Sequence, residues 1–270
     1  MVPCGKCPSC LANLRQEWVF RLKQEYFDSV FAIFVTLTYS DENLPKDLSV
    51  NKKDIQDFHK RLRKHFPPGD LRFYLVSEYG DHTFRPHYHG LYFFKHDYDR
   101  RFIYETFEKS WNKGFLKFGN VEEGSIVYCT KYCLKHSTTP TGCTPTFRLV
   151  SKMAGGLGHG YLERMSSWHI DTEQFGFVAA DGLTCRMPKY FRDKLTLVRK
   201  CSETDSQKYE RESEIMNKRS KEFSQGFKEF LNGKHFESLQ TAEMAYNVYL
   251  QETFKNQDDL VVKHCKKQKM

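Results

Sequence analysis

The 270-residue sequence lacks the patterns of several large classes of protein. No apolar run approaches the roughly 20 residues that a membrane-spanning helix needs. The first ten residues show no basic segment followed by an apolar one, as a secretory signal would. There is no long polar or Pro/Gly-rich tract and no internal repeat, which excludes a largely disordered protein. We therefore expect a soluble, cytoplasmic, globular protein of one or two domains with no membrane partner.

An acidic surplus is also absent, since 42 Lys and Arg face 34 Asp and Glu and give a formal net charge of +8. Residues 201–270 hold 12 residues of each sign, so the whole basic surplus lies in residues 1–200. A basic surface attracts polyanions, and nucleic acid before others. The alternative is a soluble protein that is merely basic.

The nine cysteines do not form a disulfide framework, because the number is odd and a secretory signal is lacking. Only Cys4, Cys7 and Cys10 cluster in the sequence, with the spacing of a metal-binding knuckle. This spacing indicates structural Zn²⁺, but a closed zinc site takes four ligands and no fourth is apparent. Reduced thiols without a metal are the alternative.

Residue patterns predict four strands and three helices. β-Branched and aromatic runs predict strands at 30–40, 71–80, 86–94 and 114–121. Amphipathic spacing predicts helices at 49–66, 97–111 and 124–136, the first capped by Ser49 and the second by Asp97. The segment 137–163, rich in Thr, Pro and Gly, is expected to be a loop.

The order β-α-β-β-α-β is typical of an α+β fold of the ferredoxin-like or RRM-like kind, with an antiparallel sheet and helices on one face. An extra helix follows the fourth strand. We divide the chain into a Cys-rich helical segment at 1–27, a main domain at 28–200 and a charged, helical C-terminal appendage at 201–270.

The stretch FRPHYHGLYFF, residues 84–94, places two imidazoles two residues apart in a predicted strand. His87 and His89 then project from one face of the sheet and Tyr88 from the other. Glu78, on the preceding strand, can reach the same face, while Asp81 and His82 in the turn are weaker rivals. Two histidines and a carboxylate suit Mg²⁺ or Mn²⁺ and leave positions open for phosphate oxygens. A solvent-facing pair of polar residues is the alternative.

The stretch YCTKYCLK places Tyr128 and Tyr132 one helical turn apart on one face, and Lys131 and Lys135 share the same spacing. An amphipathic core helix with two aromatics would look the same. Beside a metal, however, a tyrosine can attack a DNA phosphodiester and conserve the bond as a 5′-phosphotyrosine, with nearby lysines favouring the phenolate. A second tyrosine allows another cleavage while the first adduct persists.

These blocks together resemble the HUH endonucleases, the initiators of rolling-circle replication, with Tyr88 as the middle residue of His-U-His. The two-tyrosine form is similar to the initiators of small single-stranded DNA phages, and more closely to those of gokushovirus-type microviruses. The resemblance covers about residues 2–192. It is carried, in order, by VPCGKCPSC, RQEW, FVTLTYSDENLP, RFYLVSEYG, RPHYHG, YCTKYCLK and MPKYF.

The resemblance implies metal ligation by His87 and His89, with Glu78 as a third ligand, and nucleophilic roles for Tyr128 and Tyr132. It implies a Mg²⁺- or Mn²⁺-dependent enzyme that nicks and rejoins a single-stranded DNA origin in the cytoplasm of a bacterial host. A host helicase and polymerase are the partners it implies.

Two other functions remain open at this point. A single-tyrosine HUH transposase would share the histidine pair, and a non-catalytic nucleic-acid-binding module would share the RRM-like sheet. In each case Arg85 and Arg72 are candidate contacts to the DNA backbone. The segment KGFLKF, residues 113–118, faintly resembles an RNA-binding RNP1 block but misses most of its positions.

Overall fold

The computed structural model of the chain forms an α+β fold, as predicted. Its description covers residues 4–80, 83–131, 139–153, 155–172, 174–178, 184–202, 204–236, 238–249 and 252. Residues 14–189 form one compact unit, and residues 1–13 with 190–270 form another. The predicted domain boundaries at residues 27 and 200 stay predictions.

A five-stranded antiparallel sheet of order β4-β1-β3-β2-β5 organises the first unit. The strands are β1 (Phe31–Tyr39), β2 (Leu71–Tyr79), β3 (Pro86–Phe94), β4 (Gly114–Asn120) and β5 (Arg148–Val150). The first four strands are confirmed within one residue at each end. Their β4-β1-β3-β2 order is the antiparallel arrangement that the predicted β-α-β-β-α-β connectivity builds.

The helices follow the chain as α1 (Pro8–Phe27), α2 (Lys52–Leu62), α3 (Arg100–Ser110), α4 (Glu123–Thr130), α5 (His159–Thr172), α6 (Lys189–Ser202) and α7 (Asp205–Leu231). A two-stranded sheet of β6 (Gly176–Val178) and β7 (Thr184–Arg186) stands apart from the main one. No helix among these described residues is long and apolar enough to cross a membrane.

Two helix caps differ from the predictions. The side chain of Asn51, not Ser49, accepts hydrogen bonds from Lys53 N and Asp54 N at the start of α2. The side chain of Asp99, not Asp97, accepts from Phe102 N at the start of α3. Each segment offers two residues of capping type, so composition alone does not select the correct one.

The expected loop at 137–163 is also corrected, because β5 and the first turn of α5 lie within it. β5 hydrogen-bonds to the outer edge of β2, which extends the sheet beyond four strands.

The two faces of the sheet carry separate clusters of buried side chains. On one face α2 and α3 cover an aromatic core that includes Tyr39, Tyr88, Tyr92 and Trp111. On the other face, residues of α1 and α4 pack against alternate residues of the same strands, among them Trp18, Tyr74 and Cys129. The second face is only partly covered by these helices, and its uncovered end holds the candidate site.

In the second unit, the C-terminal residues form a helical pair. Tyr246, in a helical segment at 239–249, packs against Phe223 and Phe230 of α7 with ring centroids 5.3 and 5.2 Å apart. Gly226 permits this approach, since a Cβ there would lie 2.4 Å from the Tyr246 hydroxyl. The helical prediction for 205–256 is confirmed at 205–231 and 239–249, while 253–256 lie outside the described residues.

Candidate metal and nucleophile site

The candidate site lies on one face of three adjacent strands. The antiparallel register sets Thr38 of β1 opposite His87 of β3, and His87 opposite Glu78 of β2. Directly opposed residues point to the same face of a sheet, so these side chains share one surface. Tyr88 points to the other face, as predicted, where its hydroxyl accepts a hydrogen bond from Asn51 N at 2.7 Å.

Two threonines hold the histidine rings. Thr36 Oγ1 lies 3.1 Å from His89 Nδ1, and Thr38 Oγ1 lies 3.2 Å from His87 Nδ1. Because Nδ1 is engaged in each ring, Nε2 is the nitrogen presented to a ligand. The sequence analysis did not single out these threonines, although FVTLTY repeats the two-residue period of His-x-His on the paired strand.

Glu78 and His89 meet directly, with Glu78 Oε2 3.0 Å from His89 Nε2. Both side chains are mostly enclosed, at 13% and 10% exposed. Burial and the neighbouring His89 lower the pKa of His87, which favours the neutral ring that a metal requires.

Helix α4 brings Tyr128 to this cluster. A capping box between Glu122 and Ser125 starts the helix, and the buried side chains of Ile126 and Cys129 fix it on the sheet. The Tyr128 hydroxyl then lies 3.3 Å from Glu78 Oε2 and 3.5 Å from His89 Nε2.

Two contacts fix the Tyr128 ring. It packs edge-on against His89 with centroids 5.2 Å apart. The Lys131 ammonium lies over the ring face, 3.8 Å from its centroid, which is a cation–π contact.

The donor set suits a hard divalent cation, but its spacing is not that of a closed cage. Two ligands of one ion about 2.2 Å away are at most about 4.4 Å apart. Among the described residues, His87, His89 and Glu78 do not bring their donor atoms within 4.8 Å of one another, whereas the three cysteines near the amino terminus do. The residues therefore fit an ion after a side-chain adjustment within the His87–His89–Glu78 group.

The remaining predicted residues have different outcomes. Tyr132 and Lys135 lie outside the described residues. Arg85 lies at the site's edge, bound to Asp41 Oδ1 and to the Tyr39 carbonyl at 2.7 Å each, and its role stays a prediction.

The prediction that Arg72 contacts DNA is wrong. Its side chain is 6% exposed and pairs with Glu25, with Arg72 Nε 2.9 Å from Glu25 Oε1. The guanidinium therefore does not face solvent where a DNA backbone could reach it.

Residues 32–137 match the model of the replication-associated protein ORF2 family. The chain is 29% identical over 213 residues to replication-associated protein VP4 of Bdellovibrio phage phiMH2K, covering 71% of this chain and 66% of that protein. It is 31% identical over 154 residues to replication-associated protein ORF2 of Spiroplasma virus 4, covering 50% and 48%. It is 25% identical over 233 residues to replication-associated protein ORF4 of Chlamydia phage 1, covering 77% and 57%.

The chain thus spans about half to two thirds of the length of these curated relatives. No solved structure matches it. The matched segment 32–137 contains β1 to β4, the histidine pair and Tyr128. The chain belongs to the replication-associated protein ORF2 family.

Proposed function

We propose that this protein is a metal-dependent endonuclease that initiates rolling-circle replication of a small single-stranded DNA phage in the cytoplasm of its bacterial host. It nicks DNA at an origin through a tyrosine, keeps the 5′ end as a phosphotyrosine adduct and later rejoins the strand. The names of its relatives support a role in replication.

One observation carries the proposal: a tyrosine hydroxyl lies beside the candidate metal ligands. The Tyr128 oxygen lies 3.3 Å from Glu78 Oε2 and 3.5 Å from His89 Nε2. A phenol near pKa 10 is a weak nucleophile in neutral water, so it needs both a proton acceptor and a neutralised phosphate. An RRM-like binding module has no use for either.

The residues divide the reaction between them. Glu78 Oε2 is placed to accept the phenolic proton as the Tyr128 oxygen forms a bond to phosphorus. The bond from phosphorus to the 3′ oxygen breaks, and that oxygen leaves as a 3′-hydroxyl after taking a proton from water. A divalent cation held by His87, His89 and Glu78 would neutralise charge on the attacked phosphate.

The released 3′-hydroxyl then primes a host polymerase, with a host helicase opening the duplex ahead of it. Tyr132, one turn from Tyr128 in the sequence, takes part in the strand transfer that ends a round. Lys131 and Lys135 contribute positive charge near the phenols and the phosphate.

The test is incubation of labelled single-stranded origin DNA with the protein and Mn²⁺ or Mg²⁺, followed by denaturing gels. We expect a covalent protein–oligonucleotide adduct that disappears with EDTA. Tyr128→Phe and Tyr132→Phe each impair one part of cleavage and rejoining, while Tyr104→Phe, on α3 and the opposite face, leaves both intact.

The two alternatives give different gels. A single-tyrosine enzyme loses cleavage with only one of the two variants. A non-catalytic module binds DNA without metal and forms no adduct, which would overturn the proposal.

We also propose that Cys4, Cys7 and Cys10 hold Zn²⁺. Cys4 Sγ lies 4.0 Å from Cys10 Sγ, close to the roughly 3.8 Å between sulfurs that tetrahedral zinc bonds of about 2.3 Å produce. Hydrogen bonds from Lys6 N and Cys7 N lower the pKa of Cys4 to about 7, which favours the thiolate that binds metal.

Elemental analysis of protein grown with zinc tests this site. We expect about one zinc per chain, most of it lost in Cys4→Ser or Cys7→Ser and kept in Cys143→Ser, a free cysteine outside the triplet. Three titratable thiols in the triplet with no bound zinc would mean that the cysteines are simply reduced.

A further inference from the structure

The face that carries the histidines continues across β1 onto the edge strand β4. The register sets Phe115 opposite Thr38, which in turn lies opposite His87. It also sets Lys117 opposite Thr36, which lies opposite His89. Phe115 and Lys117 therefore stand on the same face as the candidate site, two strands away at about 4.8 Å per strand.

Core packing does not require these two side chains. Leu116 and Phe118, which alternate with them along β4, turn to the opposite face and pack against the aromatic core. Phe115 is 69% exposed, and Lys117 is also exposed. In the described part of the chain no acidic side chain pairs with Lys117.

The position of Phe115 is costly unless it is used. An aromatic residue on an exposed sheet edge invites pairing with other chains and adds nothing to the core. The backbone before it is also specialised, since Gly114 has φ +156° and a Cβ there would lie 2.2 Å from the Thr38 carbonyl. Glycine thus lets β4 approach β1 closely and fixes where Phe115 stands.

We propose that Phe115 and Lys117 form a single-stranded DNA subsite, in which the ring stacks on a base and the ammonium contacts the backbone next to it. An aromatic ring with a basic neighbour on an open sheet face suits a single strand, whose bases are unstacked and accessible. The subsite lies about 10 Å from the histidines across the sheet, so one short strand can contact both.

This inference rests on the proposed function for its ligand, but its test is separate. Binding of a labelled single-stranded oligonucleotide is measured by fluorescence anisotropy in EDTA, where no cleavage occurs. Base–aromatic stacking predicts that Phe115→Ala raises Kd about tenfold, while Phe115→Trp stays within about twofold. Phe27→Ala is the matched control, because Phe27 is 74% exposed but lies at the end of α1 that precedes β1.

A scan with abasic nucleotides identifies the stacked base. Wild-type protein should lose affinity when one particular base is missing, and Phe115→Ala should show no further loss at that position. Lys117→Ala should lower the slope of log K against log salt by about 0.7.

Equal effects of Phe115→Ala and Phe27→Ala, or an unchanged abasic profile in Phe115→Ala, would overturn the subsite. An absence of wild-type binding would do the same. If adduct formation fails while the Phe115 effect on binding persists, the nicking proposal fails and the subsite stands.

Discussion

Strand β2 carries two enclosed acid–base pairs on one face, and only one of them has the makings of a reactive site. Near its start, Arg72 Nε lies 2.9 Å from Glu25 Oε1. Near its end, Glu78 Oε2 lies 3.0 Å from His89 Nε2. Distance and burial are therefore similar, and the chemistry of the partners makes the difference.

The Glu25–Arg72 pair is closed. Gly158 N donates to Glu25 Oε2 at 2.7 Å, Arg72 donates to the Gly156 carbonyl, and a guanidinium neither gives up its proton nor binds a cation. The Glu78–His89 pair instead combines an imidazole that can ligate a metal with a tyrosine hydroxyl within 3.5 Å. Burial of charge thus indicates structure at one end of the strand and chemistry at the other.

The largest expected effect is on stability, from breaking the closed pair. Glu25→Ala leaves Arg72 buried and uncompensated and should lower the free energy of unfolding by about 3–5 kcal/mol. Glu78→Ala, which removes a carboxylate from the open cluster, should change it by no more than about 1 kcal/mol. Urea unfolding followed by circular dichroism measures both.

A loss below about 1 kcal/mol for Glu25→Ala would mean that the two pairs do not differ in this way. Glu25→Gln provides an intermediate, because the amide oxygen can still accept from Gly158 N while the charge is lost.

The second effect is on adduct formation and compares two histidines on opposite faces. His89→Gln should slow metal-dependent cleavage at least about 100-fold, since it removes a ligand candidate and a neighbour of Tyr128. His59→Gln should leave the cleavage rate within about twofold while the protein is folded. His59 lies in the aromatic core, 3.1 Å from the Tyr92 hydroxyl and stacked on Phe73 at 3.7 Å.

Single-turnover gels at saturating DNA give both rates. Equal losses in the two variants would show that the histidine on the open face acts only through folding.

The third effect is the pH dependence of stability, and it also depends on His59. Burial lowers the pKa of His59 to about 3, whereas the ring in the unfolded chain titrates near pH 6.5. Below pH 6.5 the unfolded chain binds a proton that the folded chain does not, so this contribution to stability is present above pH 6.5 and is lost as the pH falls toward 3. The slope is about 1.4 kcal/mol per pH unit.

Unfolding curves at pH 7 and pH 5 isolate this contribution when wild type is compared with His59→Gln. The wild type should lose about 2 kcal/mol more than the variant over that interval. Parallel losses would assign the acid sensitivity to other groups.

Short-range patterns in the sequence predicted the sheet and half of the site. The alternation in FVTLTY and PHYHGLYFF predicts both the strands and the shared face of His87 and His89. The convergence of Glu78 with His89 follows once β2 and β3 form a hairpin in this register. The metal and nucleophile roles of these residues stay predictions.

Long-range partners were not predictable from such patterns. Arg72 looks like any basic residue near a strand end until Glu25, on α1 and 47 positions earlier, packs against it. The hydrogen bonds of Thr36 and Thr38 depend on the pairing of β1 with β3, which no single strand's sequence specifies.

The smallest expected effect applies the same principle to exposed carboxylates, where the partner again decides. Asp99 caps α3 by accepting from Phe102 N at 3.0 Å, so Asp99→Ala should cost about 1 kcal/mol of unfolding free energy. Asp97 lies 3.3 Å from Arg100 in a pair that is 73% and 47% exposed, and Asp97→Ala should cost less than about 0.5 kcal/mol. The two variants differ in one carboxylate two positions apart, so chemical denaturation compares the caps directly. A larger loss for Asp97→Ala would restore the cap that the sequence pattern favoured and would imply that α3 begins earlier than Arg100.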